Sequence, residues 1–166
     1  SFAGVPISIK DTEPTRGLRT TFGSREFENY VPEKDGLFAE RIRNAGGIFI
    51  GKTNTPAGAH KDMTDNLLGP ACSHPLDASR TSGGSSGGAS VSVALGVEPV
   101  AHATDGAGSI RIPAALCGII GFKPSSGTVP EVKDDPWETR IHTGFVAQRI
   151  EDIAAGMEIV SGPDPR

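Results

Sequence analysis

The chain has 166 residues, 36% of them apolar and 22% charged, enough for one domain with a buried core. Its 22 glycines and 13 prolines make it loop-rich without the composition of a disordered chain. A formal charge of −4 argues against a surface that tracks nucleic-acid phosphates, no apolar run is long enough to span a membrane, and two cysteines (Cys72 and Cys117) are too few for a disulfide framework, so a reducing, cytoplasmic setting is expected.

The chain opens without a charged-then-apolar leader, directly on a strand pattern, with Val5, Ile7 and Ile9 alternating with Pro6, Ser8 and Lys10. Lys10 stands at the C-terminal end of that strand. Asp35 is a candidate cap for a helix running to about Asn44, with Leu37, Phe38, Ile42 and Ala45 inward and Gly46-Gly47 as its stop. Ile48, Phe49 and Ile50 read as a buried strand. From Pro56 to Ser82 no periodicity is strong, and Asp77 to Gly84 reads as loop. A small-residue helix is expected from about Gly88 to Leu95, a strand from Val97 to Ala103, a short helix from about Ile110 to Leu116 and a strand from Ile119 to Phe122. Pro124 to Thr143 is turn-rich, and Ile150, Ile153, Ala154, Met157 and Val160 form one face of a closing helix. The alternation of strands and helices predicts an α/β fold in a single domain, 1–166, with a sheet covered on both faces. A stop on Gly162-Pro163-Asp164-Pro165-Arg166 directly after a helix suggests an excerpt from a longer, incomplete domain.

Three motifs compete for the chemistry. Gly46 to Thr53 fits the P-loop expression, but it follows a helix and enters a strand, and its Ile-Phe-Ile interior seeks a core rather than phosphate. Gly84-Ser85-Ser86-Gly87-Gly88 contains G-x-S-x-G centred on Ser86, with Asp105 and His142 following in the order of a hydrolase elbow. That reading needs a strand running straight into the motif, where the local signals give a loop. The third candidate is Ser109, preceded by Gly106, Ala107 and Gly108, at the expected start of a helix whose first turn holds Pro113. A serine there sits beside free amides and suits a nucleophile with an oxyanion hole, although on the residues alone it reads first as an N-cap, and Lys10 as a solvated strand-end lysine.

The run from Gly83 to Pro124, with Gly4-Val-Pro-Ile-Ser-Ile-Lys-Asp11, Gly51-Lys-Thr-Asn-Thr-Pro56 and Ser161 to Arg166, resembles the amidase signature family over nearly the whole chain. The resemblance implies the family's mixed sheet covered by helices, present here in part, and a Ser–cis-Ser–Lys triad. Ser109 matches the nucleophile, Ser85 the cis-serine and Lys10 the base. Gly106, Ala107, Gly108 and Ser109 match the oxyanion segment, and Ser86 a supporting serine. Asp105 and Arg111 bracket the nucleophile and are expected to pin its loop. Burial would lower the lysine pKa far enough for it to accept a proton relayed through Ser85. The implied activity is hydrolysis of a carboxamide C–N bond in a small-molecule substrate through an acyl-enzyme, with no cofactor, metal, nucleic-acid or membrane partner. Ala107 departs from the common Asp-Thr-Gly-Gly pattern and is similar to hydrolases of nylon-type cyclic dimers. Ser82 and Ala57 also depart, at positions where Pro and Glu are frequent. Ile112 replaces the glutamine usual in the A subunits of glutamyl-tRNA amidotransferases and favours a free-standing hydrolase. The alternatives are the glutaminase component of such an amidotransferase and a catalytically incomplete piece with a binding or structural role. Cys117 is read as apolar filler, His102 as a satisfied core residue, and His60, His74, His102 and His142 as too irregularly spaced for zinc.

Overall fold

The computed structural model describes residues 2–130 and 141–164. Eleven regular elements, apart from two single 3₁₀ turns, are β1 (Pro6–Lys10), α1 (Leu37–Asn44), β2 (Ile48–Thr53), β3 (Ser73–His74), β4 (Asp77–Thr81), α2 (Gly87–Ala94), β5 (Val100–Asp105), α3 (Arg111–Cys117), β6 (Ile120–Phe122), β7 (His142–Ala147) and α4 (Ile150–Val160), all among the described residues. The main sheet has the order β2-β1-β5-β7-β6. β1 runs parallel to β2 and β5, whereas β7 is antiparallel to β5 and β6, so the sheet is mixed.

Strand periodicity sends alternate side chains to opposite faces, and each face has its own helices. Ile7, Ile9, Val100, Phe145 and Ala147 pack with Phe38 and Ile42 of α1 and Ile153 and Val160 of α4. Ala101, Ala103 and Val146 pack with Ala89 and Val93 of α2 and Ala114 of α3. The second face is made of small side chains, which lets α2 and α3 lie close to the sheet and brings their N-termini to the end of β1 and β5. None of the described helices is long and apolar enough to cross a membrane.

Several sequence expectations need correction. The N-cap of α1 is Gly36, and Asp35 instead pairs with the Arg43 guanidinium and accepts from the Arg16 amide. The strand at 48–50 is not buried: β2 is the sheet edge, with Ile48 53% and Ile50 45% exposed, while Phe49 lies under Arg43. Residues 77–81 form β4 rather than loop, an exposed strand paired with β3 in a two-stranded sheet, so it carries no apolar alternation to read. β5 starts three residues later than expected and runs on to Asp105. β7 begins inside the stretch read as turns; it is buried on both faces and therefore also lacks alternation. α4 has the expected span, but Ile150 and Ala154 lie exposed, and Gly156 shares the buried face with Ile153 and Val160. Trp137 falls outside the described residues.

Candidate active site

β1 and β5 stop pairing after Ile7–Val100 and Ser8–Ala101, and the opening at their C-terminal ends is filled by side chains. Ligand sites of open α/β sheets occupy this kind of crevice. Lys10, the last residue of β1, projects its amine into it and is fully buried. Nζ donates to Ser85 Oγ (2.7 Å), Thr104 Oγ1 (2.8 Å) and Ser86 Oγ (2.9 Å). The solvated reading of Lys10 is therefore wrong. Burial pulls its pKa down from 10.5 to about 7, with Asp105 pulling weakly the other way.

Both serines come from the turn entering α2. The Gly84–Ser85 peptide is cis. The turn is packed too tightly for side chains: a Cβ on Gly84 would lie 2.7 Å from the Met63 backbone, and one on Gly88 would strike Asn54. Thr64 fixes the same turn, donating to the Gly83 carbonyl and accepting from the Gly87 amide. Ser86 Oγ donates to the Thr104 carbonyl (3.2 Å) and accepts from the Thr104 amide (3.3 Å), joining turn to sheet.

Ser109 meets this cluster through its backbone, its carbonyl accepting from the Ser86 amide at 3.2 Å. It is partly buried, and among the described residues no hydrogen bond joins its hydroxyl to that of Ser85. The helix expected to start near Ser109 starts at Arg111, with Ile110 as N-cap, so Ser109 lies in the connecting loop. Asp105 organises that loop. Its carboxylate accepts from the amides of Gly108 (2.8 Å) and Ile110 (3.2 Å) and from Arg111 Nε (2.9 Å) and Nη2 (3.0 Å). Burial opposes its ionisation, but the Arg111 guanidinium and these amides outweigh burial and hold the pKa at about 2. Of the expected oxyanion quartet, Gly108 thus spends its N–H on Asp105. The amides of Gly106, Ala107 and Ser109 donate to no protein group among the described residues.

The structure brings Lys10, Ser85 and Ser86 together, sets Ser109 beside them and pairs Asp105 with Arg111. Thr104 is the site residue that sequence reading missed; its one signal is a hydroxyl beside Asp105 at the end of β5. The elbow reading loses its geometry, because Ser86 Oγ is occupied by Lys10 and Thr104, and the His142 ring contacts the Asp105 carbonyl instead. The P-loop reading fails as well. Lys52 lies in a strand and donates to the Glu13 carbonyl, Thr15 and Thr20. Burial pushes the Cys117 thiol up to about 11, far from a reactive thiolate, and no cluster of metal-ligating side chains occurs among the described residues.

Comparison with known proteins gives the family. The Amidase family model matches residues 1–166. The chain is 41% identical over 162 residues to an acylamidase of Rhodococcus erythropolis, covering 97% of this chain and 34% of that protein. It is also 41% identical over 165 residues to the A subunit of glutamyl-tRNA(Gln) amidotransferase from Carboxydothermus hydrogenoformans, covering 99% of this chain and 34% of that one. The solved structure of 6-aminohexanoate cyclic dimer hydrolase complexed with substrate superposes with a TM-score of 0.93 at 38% identity, over 99% of this chain and 36% of that one. The chain thus spans about a third of the length of these relatives. With a family match along its whole length, and near relatives that share its fold, the chain belongs to the amidase signature family.

Proposed function

We propose that the protein to which this chain belongs hydrolyses the C–N bond of a small carboxamide through an acyl-enzyme on Ser109. The observation that carries the reading is the buried Lys10 amine 2.7 Å from Ser85 Oγ, with a pKa lowered to about 7. Burial removes the hydration that keeps a lysine protonated, so half of the population is a neutral base near pH 7. With Lys10 neutral, the Ser85 hydroxyl donates to Nζ and accepts the Ser109 proton as Ser109 Oγ bonds to the substrate carbonyl carbon. Amides of Gly106, Ala107 and Ser109 stabilise the oxyanion, and backbone donors of this kind cost no reorganisation at the moment of reaction. The C–N bond breaks as the proton returns through Ser85 to the leaving nitrogen. Water, deprotonated over the same relay, then releases the acid. Ser109 and Ser85 draw together when substrate occupies the site, as catalytic hydrogen bonds commonly do. The cytoplasm is the compartment this reading assigns.

The 41% identity to the amidotransferase relative supports a second reading, a glutaminase component that hands ammonia to a partner. Ile112 favours the free-standing hydrolase: it places an apolar side chain against Gly108, at the position where the family resemblance implies glutamine in the amidotransferase A subunits. Labelling of the full-length protein with a fluorophosphonate, followed by peptide mapping, tests the triad. A single adduct on Ser109, lost in Lys10→Ala, is expected; an adduct on Ser86, or labelling of Lys10→Ala at the wild-type rate, overturns it. Comparing acid release from simple anilides with ammonia release from glutamine separates the two readings.

A further inference from the structure

Two amide hydrogens on the β5 side of β1, that of Ser8 at the end of the short pairing and that of Lys10 beyond it, do not reach backbone carbonyls. The Ser8 amide donates to the Glu98 carboxylate, and the Lys10 amide donates to His102 Nδ1 at 3.2 Å. His102 is fully buried, its ring 4.2 Å from that of Phe38, which in turn packs on Phe145. Nε2 has no partner among the described residues. A nitrogen that accepts from an amide carries no proton, so the ring is the neutral tautomer with its hydrogen on Nε2. Nothing in the triad uses this imidazole.

We infer that His102 is a positioning residue for the base: by accepting the Lys10 amide hydrogen it replaces the missing rung of the sheet and fixes where the Lys10 amine stands between Ser85, Ser86 and Thr104. The inference rests on the reading of Lys10 as the base. Protonated at Nδ1, the ring would present a donor to a donor. The charged groups that act on it, Lys10 and Lys52, are both cations, and together with burial they hold His102 well below the usual histidine range. The device is therefore insensitive to pH around neutrality, unlike the lysine it holds.

The test is the rate of fluorophosphonate labelling of the full-length protein across the neutral range. His102→Leu keeps roughly the volume but has no acceptor. With the Lys10 amide unheld the amine leaves its place among the three hydroxyls, and labelling is expected to fall about tenfold or more. The pH midpoint should rise, because a Lys10 freed from its place is better hydrated. His102→Asn offers a carbonyl oxygen near the Nδ1 position and is expected to recover most of the rate and the original midpoint. Equal losses in both variants, or a His102→Leu protein with wild-type rate and midpoint, overturn the inference. Should His102→Leu fail to fold, nitrogen NMR of the unsubstituted protein decides: a neutral, Nε2-protonated ring through the neutral range supports the inference, and an Nδ1-protonated or cationic ring overturns it. Lys10→Ala serves as the control. If it labels at the wild-type rate, the base assignment itself has failed and the positioning role falls with it, whereas a defect confined to the His102 variants leaves the base in place.

Discussion

Two lysines drawn into the interior stand one register step apart on adjacent strands, Lys10 at the end of β1 and Lys52 paired opposite Ile9 on β2. Each donates to three oxygens, yet they are set for different tasks. Lys52 reaches a carbonyl and two threonines that hold the 13–20 segment, and burial lowers its pKa only to about 8 because Asp11, Glu13 and Asp35 pull it back. Lys10 reaches only hydroxyls, and the carboxylate acting on it, Asp105, is already engaged by Arg111. Burial alone does not make a base. On the proposed reading Lys10 becomes one because the nearby negative charge is spent on Arg111 and its acceptors are hydroxyls that can reverse their bonds.

The sharpest way to break this contrast is to exchange the consequences of losing each amine. Lys10→Ala, like Ser109→Ala, should lower turnover by at least about a thousandfold with the fold intact, as removal of a member of a catalytic unit does. Lys52→Met should leave the fluorophosphonate labelling rate of the folded protein within about threefold, but lower stability by about 2–4 kcal/mol in a denaturant titration, because its three oxygens lose their donor. A folded Lys52→Met protein that cannot be labelled would erase the distinction. Thr104→Val keeps the shape while deleting one of the three oxygens around Lys10; labelling should fall about tenfold with little change in the thermal midpoint. The smallest effect concerns pH. Below about 7 Lys10 holds its proton and cannot take another, so labelling should rise as pH rises through that value. Arg111→Gln leaves the Asp105 charge uncompensated, which favours the ammonium and should move the midpoint upward. A midpoint that stays or falls would mean that Arg111 does not shield Lys10 from Asp105.

The parts of the site written in the sequence are those where the backbone itself is constrained. The glycines around Ser85 and before Ser109 leave a trace because no other residue fits against Met63 or Asn54 or leaves the amides bare. The Asp105–Arg111 pairing was equally legible, two opposite charges six residues apart around a tight loop. What could not be read was long-range. Nothing local in Ile9-Lys10-Asp11 distinguishes a buried lysine from a solvated one, since its hydrogen-bond partners lie 75 to 94 positions away. Thr104 and His102 stayed hidden for the same reason. The exposed isoleucines of β2 misled in the opposite direction, because an apolar triplet looks alike in a central strand and at an edge. β4 and β7, one exposed on both faces and the other buried on both, show no alternation for a strand pattern to catch.

The hydroxyl of Ser86 both gives to and takes from the main chain of Thr104, the two-way exchange that a residue of a neighbouring strand would make. One side chain thereby acts as a one-residue strand, closing the parting between β1 and β5 and tying the turn that carries Ser85 to the main sheet. That oxygen adds to the hold that Thr64 already has on the turn, whose flanking glycines supply no stiffness of their own. An alanine at that position would keep every apolar contact of the fold and still let Ser85 wander, and the Thr104 amide, no longer capped, would trade its hydrogen with solvent at the pace of a frayed edge.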